Sequence, residues 1–299
     1  MIQPTAAIQP AVAIQMPLEK TSILFVDDDS SLLASLRRIL HRFRSDWQME
    51  FCFSAKEALR HLEQKHVDVV VSDIRMPEMD GTELMQAVAA NHPSVIRFIL
   101  SGQAEKETVL KLVGVTHQYF AKPCNPNKLF EAVSEIMTKR QQINGIDVAN
   151  QLTGLASIPI AHPSYEQLQA ELAVAEPNMN RIVTIIRGDI GLGLKVLQLV
   201  STSFFGTPQP GCNLSLACRT LGIDLIRSVL LAKKPTQPIA LQQQEVSETA
   251  ELYRQLAHYW QALQHSPDTT TKLAENAVAV FKYLTSLWGV DNSSVSQRL

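Results

Sequence analysis

Four short stretches of this chain carry side chains that together suit phosphoryl transfer. The first is the acidic pair Asp27 and Asp28, and the second is Asp73, which ends an apolar run before a loop that contains Pro and Gly. Ser101 and Lys122 follow in that order along the chain. A carboxylate can accept a phosphoryl group, while a hydroxyl and an ammonium can bind the oxygens of that group. The sequence therefore predicts that Asp73 is phosphorylated and that Ser101 and Lys122 bind the phosphoryl oxygens.

The three carboxylates also predict a metal site. Converging carboxylates repel one another unless a hard cation neutralises them, and Mg²⁺ takes a few carboxylate oxygens while keeping several waters. We expect Asp28 and Asp73 to bind Mg²⁺ directly and Asp27 to act through a bound water. The backbone carbonyl of Arg75 is expected to supply a further oxygen ligand.

Short apolar runs and amphipathic stretches alternate around these residues, and they predict strands and helices respectively. The predicted strands are 23–26, 49–53, 67–72, 95–100 and 118–120, and the predicted helices are 30–43, 55–64, 82–90, 105–113 and 127–140. Val/Ile-rich strands separated by helices are typical of a parallel sheet covered on both faces. Ligands of such sheets bind beyond the carboxyl ends of the strands, and the candidate site residues all fall there.

Residues 21–140 resemble the receiver domain of a bacterial two-component response regulator, since the acidic pair, the acceptor aspartate, the serine and a Lys-Pro dipeptide are all present. The resemblance implies an α/β domain with a five-stranded parallel sheet of the CheY or flavodoxin type. It implies that a histidine kinase or a phosphotransfer protein phosphorylates Asp73, and that a switch couples Ser101 to Tyr119. Pro123, directly after Lys122, suits a cis peptide bond that fixes the aim of the lysine. A homodimer through the receiver domain is left open.

The second half of the chain has a helical period almost throughout. The predicted helices are 165–174, 179–187, 192–204, 214–221, 224–232, 246–264 and 270–287. A helix that ends in Ser203-Phe204-Phe205-Gly206, a short loop, and two Leu-rich helices joined at Gly222 resemble the HDOD module over about residues 152–232. That module is an all-helical relative of the HD-type phosphohydrolases. The resemblance fades after about residue 235, so the last helices are expected to be shortened or rearranged.

Composition completes the expected organisation. We expect a flexible tail over 1–20, the receiver domain over 21–140, a linker over 141–151 and an all-α HDOD-like output domain over 152–299. The net charge of −2 argues against a general attraction to nucleic acid or to a membrane. Four cysteines without a CxxC pair fit a reducing compartment, so a cytoplasmic protein with no membrane partner is expected.

Three functions compete for the helical module. A cyclic-dinucleotide phosphodiesterase of the HD type needs metal ligands, but the sequence has no His-Asp dipeptide, and its histidines after residue 150 are His162, His258 and His265. A DNA-binding regulator is suggested by the helix pair over 214–231, which offers only Arg219 and Arg227 for phosphate contacts. The favoured hypothesis is an adaptor without enzymatic activity that phosphorylation switches and that acts on a downstream protein not named by the sequence.

Overall fold

A computed structural model of the chain describes residues 20–102, 112, 115–143, 146–154, 160–201, 213–230, 255–261 and 275–287. The predicted tail lies outside these residues except for Lys20. The predicted helix over 105–113 also lies outside them except for Leu112, which is helical.

Five parallel strands form one sheet in the order β2-β1-β3-β4-β5. They are β1 (Thr21–Val26), β2 (Trp47–Cys52), β3 (Val69–Asp73), β4 (Ile96–Ser101) and β5 (Gln118–Ala121). Neighbouring apolar residues of one strand, such as Ile23 and Leu24, are both fully buried, because helices cover both faces of the sheet. The predicted five-stranded parallel sheet is thus confirmed.

Four described helices surround the sheet: α1 (Ser30–Leu40), α2 (Ala55–Gln64), α3 (Gly81–Asn91) and α4 (Pro126–Gln141). Each begins at a side chain that accepts hydrogen bonds from the first free N–H groups, and Asp80 forms a capping box with Glu83 at the start of α3. Helix α1 ends at Leu40 and continues as a 3₁₀ turn over His41–Phe43, so the helix predicted over 30–43 is shorter than expected.

Helices also form the described part of the second half of the chain, as predicted. They are α5 (Ile146–Gly154), α6 (His162–Ala173), α7 (Met179–Gly188), α8 (Ile190–Ser201), α9 (Leu214–Leu230) and α10 (Glu275–Leu287), and residues 255–261 are helical as well. Among the described residues, no helix is both long and apolar enough to cross a membrane.

The hydrophobic core has two parts, one on each face of the sheet. Helices α2 and α3 cover one face, where Tyr119 packs with Ile99 and Met85. Helices α1 and α4 cover the other face, and the cluster there continues without a break into the helical module through Ile143, Ala149 and Leu152. The receiver sheet and the helical module therefore share a core.

Helix α5 overlaps the second part of the segment that the sequence assigns to a linker over 141–151, and its residues Ala149 and Leu152 are buried. Gly222 has the predicted positive φ of 76° and is not helical, so it separates two helical segments of α9 as predicted, although its ψ of 164° is extended and differs from that of the left-handed conformation.

Candidate phosphoryl-transfer site

Parallel pairing brings the predicted site residues to one edge of the sheet. Asp73 is the last residue of β3, Ser101 is the last residue of β4, and Asp27 and Lys122 directly follow β1 and β5. Strand β3 lies between β1 and β4, so Asp73 is central in the group. The carboxyl ends of parallel strands are where ligands of this kind of sheet bind.

The three predicted carboxylates converge. One oxygen atom from each of Asp27, Asp28 and Asp73 lies within 4.8 Å of the others. The Asp27 side chain is buried, and its Oδ1 accepts a hydrogen bond of 3.0 Å from the backbone N–H of Asp29. The side chain of Asp29 in turn accepts from the first N–H groups of α1, so the acidic pair is held by the start of that helix. Three oxygen donors at this spacing fit one hard divalent cation.

Lys122 extends into this group from the end of β5. Its Nζ lies 2.7 Å from Oδ2 of Asp27 and 2.8 Å from Oδ1 of Asp73, and the lysine side chain is 22% exposed. Burial acts to lower the pKa of Lys122, but the hydrogen bonds to Asp27 and Asp73 outweigh it, so the pKa is raised above its ordinary value of 10.5. The ammonium is therefore fixed as a positive charge beside Asp73, whose side chain is 13% exposed.

The loop after Asp73 folds back onto the end of β3. The backbone N–H of Gly81 donates to the carbonyl oxygen of Ile74 at 2.8 Å. A Cβ atom at residue 81 would lie 1.9 Å from the carbonyl oxygen of Asp73, so this position has no room for a side chain. In the same loop Glu78 has a φ of 66°, and its side chain pairs with Lys56. The loop geometry thus depends on glycine at residue 81.

The other predicted site residues are Ser101, Pro123, Arg75 and Tyr119, and their surroundings differ. The Ser101 side chain is buried, and the carbonyl of Ser101 accepts from the backbone N–H of Lys122 at 2.7 Å. The peptide bond between Lys122 and Pro123 is cis. Arg75 is exposed in the loop after β3. Burial raises the pKa of Tyr119 far above its ordinary value, against a smaller opposing effect of its hydrogen bond with Thr116.

Sequence reasoning did not single out Asp29 or Gly81. A third carboxylate after an acidic pair and an Asp-Gly dipeptide at the start of a predicted helix are both visible in the sequence, but as a helix cap and a turn. Their contribution to the site becomes clear only when the strand ends are brought together.

Comparison with protein families agrees with this geometry. Residues 23–134 match the response regulator receiver domain, and residues 158–279 match the HDOD domain. The second match continues beyond residue 235, where the resemblance seen in the sequence fades. The boundaries predicted for the tail, linker and domains stay predictions.

The curated relatives match this chain over only part of their own length. The transcriptional regulatory protein ZraR of Salmonella typhimurium is 25% identical over 213 residues, which cover 71% of this chain and 47% of that protein. The hydrogenase transcriptional regulatory protein HoxA of Bradyrhizobium diazoefficiens is 33% identical over 135 residues, which cover 42% of this chain and 27% of that protein. The chain thus spans less than half of the length of these two relatives.

Solved structures match over the first part of the chain. The signal receiver domain of an HD domain-containing protein from Pseudomonas fluorescens is 28% identical, with a TM-score of 0.37, and the match covers 38% of this chain and 92% of that one. A CheY-like receiver domain protein from Methanospirillum hungatei is also 28% identical, with a TM-score of 0.39, and the match covers 41% of this chain and 98% of that one. The two family matches show that the chain contains a response regulator receiver domain followed by an HDOD domain.

Proposed function

We propose that this protein is an adaptor whose output is switched by phosphorylation of Asp73. The observation that carries the proposal is the placement of Lys122 Nζ within 2.8 Å of the Asp73 carboxylate, at the strand edge where the acidic pair also lies. A receiver domain implies a kinase or a phosphotransfer protein as partner. We propose a histidine kinase or a phosphotransfer protein as the donor, and an unidentified protein as the target of the HDOD domain.

In the proposed reaction a carboxylate oxygen of Asp73 attacks the phosphorus of a phosphohistidine on the donor. A new O–P bond forms as the P–N bond breaks, which leaves an acyl phosphate on Asp73 and returns the imidazole to the donor, where it takes a proton from solvent. The ammonium of Lys122 faces Asp73 and can pair with a phosphoryl oxygen, and the hydroxyl of Ser101 can donate to another. Each residue lies at the end of its own strand, so the sheet fixes their spacing.

The acidic cluster supports a bound Mg²⁺. Receiver domains generally bind Mg²⁺ at an acidic pocket, and the spacing of Asp27, Asp28 and Asp73 suits that ion. We assign Asp28 and Asp73 as direct ligands, Asp27 as a ligand through water, and the carbonyl of Arg75 as a further oxygen donor. When bound, the ion offsets negative charge on the incoming phosphoryl group.

The HDOD domain is proposed to act by binding and not by catalysis. A metal-dependent phosphohydrolase needs histidine and carboxylate ligands with an open position for water. The sequence has no His-Asp dipeptide, and the Nδ1 atom of His162 lies 3.4 Å from Glu166 on the exposed surface of α6. These features support an interaction module. Turnover of a cyclic dinucleotide by the purified protein with a divalent metal would contradict this part of the proposal.

The first test measures phosphorylation itself. The full-length protein is incubated with Mg²⁺ and phosphoramidate, and intact-mass spectrometry follows the gain of one phosphoryl group. We expect the gain in the wild type, in the exposed control variant Asp46→Asn, and not in Asp73→Asn. Equal modification of Asp73→Asn would reject Asp73 as the acceptor.

The second test identifies the output. The purified protein is activated with Mg²⁺ and beryllofluoride and used to capture partners from a nuclease-treated lysate, beside Asp73→Asn treated in the same way. A protein enriched only on the activated wild type supports the adaptor. Equal or absent capture counts against it.

A second candidate function is DNA binding, because the curated relatives ZraR and HoxA are named transcriptional regulators. Two exposed arginines lie on α9. Arg219 donates a hydrogen bond to Asn180, and Arg227 donates to Asp224 and to the carbonyl of Leu172, so both bind within the protein. A gel-shift assay with genomic fragments separates the two functions, since a DNA-binding protein would give salt-sensitive shifts.

A further inference from the structure

Helix α1 and strand β2 enclose a groove on the surface of the receiver domain. Its volume is about 450 Å³. We call it the α1–β2 groove and define it by the side chains of Ala34, Arg37, Arg38, His41, Phe51 and Phe53. The first four of these residues lie on one face of α1 and of the turn that continues it, because they are spaced at i, i+3, i+4 and i+7. None of the six belongs to the phosphoryl-transfer site, so the proposed reaction makes no use of the groove.

The floor of the groove is apolar and partly exposed. Phe53 is 52% exposed although it is a large apolar residue. The ring of Phe51 stacks on the buried ring of Phe25, with the ring centroids 5.2 Å apart, so its position is fixed. A concave surface with exposed apolar side chains favours the binding of an apolar group from another molecule.

Two arginines give the groove a positive charge. The guanidinium of Arg37 lies 5.2 Å from the ring centroid of Phe51. Within the described part of the chain, neither Arg37 nor Arg38 forms an ion pair with a carboxylate. Glu50 of β2, by contrast, is paired with Lys65 at 3.0 Å. The groove thus combines two cations with an apolar floor, which favours a ligand that has carboxylates next to an apolar group.

Strand β2 forms one edge of the sheet, and among the described strands it pairs only with β1. The carbonyl of Cys52 accepts from the backbone N–H of Asp27 at 3.2 Å, so Cys52 turns its backbone groups toward β1. In a parallel ladder, alternate residues point their backbone groups in opposite directions. The N–H and carbonyl groups of Met49 and Phe51 therefore point toward the open edge, where an extended chain can pair with them.

The side chains of β2 place the groove beside this edge. Met49 and Phe51 pack with the core cluster under α1, whereas Cys52 packs with the cluster on the other face of the sheet. A strand that pairs with the open edge of β2 directs every second side chain to the α1 side, where the groove lies. One extended ligand can therefore form both the backbone pairing and the side-chain contacts.

We propose that the α1–β2 groove and the open edge of β2 bind an extended segment of a partner protein, in which an apolar residue is flanked by carboxylates two residues away. Residues two apart share one face of a strand, so the apolar side chain contacts Phe51 and Phe53 while the carboxylates pair with Arg37 and Arg38. The segment adds a sixth strand to the five-stranded sheet. Phosphorylation of Asp73 is not required for this binding.

Two other occupants fit the groove less well. A second copy of the chain, related by a two-fold axis, would bring the arginines of the two grooves toward each other, and like charges repel. A nucleic acid presents phosphates, which pair with arginine but gain nothing from an apolar floor. The guanidinium of Arg37 also lies over the ring of Phe51, on which a base would have to stack.

Peptide selection on the full-length, unphosphorylated protein tests the proposal. The probe is a phage-displayed library of peptides of about eight residues, with threonine at every second position to favour a strand and random residues between. We expect the enriched peptides to carry an apolar residue with carboxylates at the neighbouring random positions. Absence of enrichment, or enrichment of peptides without carboxylates, would overturn the proposal.

Variants then locate the binding. An enriched peptide is synthesised with a fluorescent label, and its affinity is measured by anisotropy. We expect Arg37→Gln/Arg38→Gln to weaken binding about threefold to tenfold, as for two exposed ion pairs, and Phe53→Ser to weaken it about tenfold. The control Arg42→Gln/Arg60→Gln removes the same charge from exposed arginines outside the groove and should bind like the wild type. Equal affinities of the two arginine double variants would reject the groove as the site.

N-methylated peptides test the backbone pairing. Methylation of the amides that face β2 should abolish binding, whereas methylation of the alternate amides should be tolerated, and equal effects at both sets would contradict the addition of a strand. Matching thermal unfolding curves show that the variants, which all replace exposed side chains, are folded.

Two further results would assign the groove to another occupant and overturn the proposal. A dimer in sedimentation that Phe53→Ser dissociates would assign it to a second copy of the chain. Binding of a labelled single-stranded oligonucleotide that Arg37→Gln/Arg38→Gln weakens, without peptide enrichment, would assign it to nucleic acid.

Discussion

Acidification should destabilise the folded protein through His117. The ring is buried between β4, β5 and α5, with Arg97 Nη2 only 3.1 Å from its Nε2. Burial first, and the charge of Arg97 second, hold the pKa of His117 well below its ordinary value of 6.5, and the bond to Thr153 opposes them only in part. Protonation would also remove the lone pair on Nδ1 that accepts from the backbone of Arg97.

The sign and size of the effect follow from proton linkage. The unfolded chain takes up a proton on this histidine near pH 6.5, whereas the folded protein does not, so the contribution of His117 to stability is complete above that pH and declines as the pH falls below it. One pH unit below the unfolded pKa, the loss is about 1.4 kcal/mol in the free energy of unfolding. Further acidification costs about the same again per unit until the folded pKa is reached.

The assay is urea unfolding of the wild type and of His117→Asn between about pH 5 and pH 8, the window in which an unperturbed histidine titrates. Asparagine keeps a neutral acceptor near Arg97 but cannot titrate. It also leaves the carbonyl of Thr153 without its donor, so the variant should be less stable at neutral pH by about 1–3 kcal/mol. The other seven histidines are common to both proteins, and their contributions cancel in the difference. Parallel stability curves for the two proteins would refute the reasoning, because the wild type should fall more steeply below pH 6.5.

Three further substitutions test the site and the helical module. Gly81→Ala places a Cβ 1.9 Å from the carbonyl of Asp73, and this overpacking should cost about 1–3 kcal/mol in urea unfolding and slow phosphoryl uptake. Lys122→Met removes a charged donor from Asp73 and should slow uptake from phosphoramidate about tenfold to a hundredfold, measured by intact mass. In Gly222→Ala the new Cβ meets no atom of the described residues within 4 Å, but the change forces a non-glycine residue into a conformation that glycine alone adopts readily, so thermal unfolding should show a loss of about 1–3 kcal/mol.

Control substitutions show whether each effect comes from the contact that is named as its cause. Gly102→Ala adds a methyl group where the described part of the chain has no atom within 4 Å, and it should be tolerated if crowding causes the effect at residue 81. Lys56→Met removes an exposed lysine that pairs with Glu78 and should leave uptake close to wild type. A wild-type rate for Lys122→Met would contradict the role of its ammonium, and full stability of Gly222→Ala would contradict the argument from backbone conformation.

The sequence predicts the receiver sheet well because its strands carry a strong local signal. Val69, Val70 and Val71 form a short β-branched run that favours a strand covered on both faces, and Asp73 ends it at a loop. Each site residue ends or directly follows a predicted strand, and parallel strands bring these ends to the same edge of the sheet. The helices of the second half are predicted for the same reason, because the spacing of their apolar residues is also a local signal.

The contact between the domains could not be predicted in this way. Arg97 interrupts the apolar strand β4, and its burial depends on carbonyl acceptors from Pro93, Val95 and Val115, which lie in two separate segments. Helix α5 is short and follows a polar stretch, so the buried apolar residues Ala149 and Leu152 give too weak a period to recognise. Non-local hydrogen bonds such as those of Arg97 leave no spacing in the sequence that could predict them.

The hydrogen bonds around His117 also limit how the two domains can be recombined in evolution or design. The carbonyl of Thr153 needs the donor that His117 Nε2 supplies, and the backbone N–H of Arg97 needs the acceptor on Nδ1 of the same ring. An apolar side chain at residue 117 would bury the Thr153 carbonyl without a partner, which is costly in an interior. The helical module therefore fits receivers that carry a neutral donor and acceptor at this position, and a chimera made by exchanging receiver domains has to keep His117.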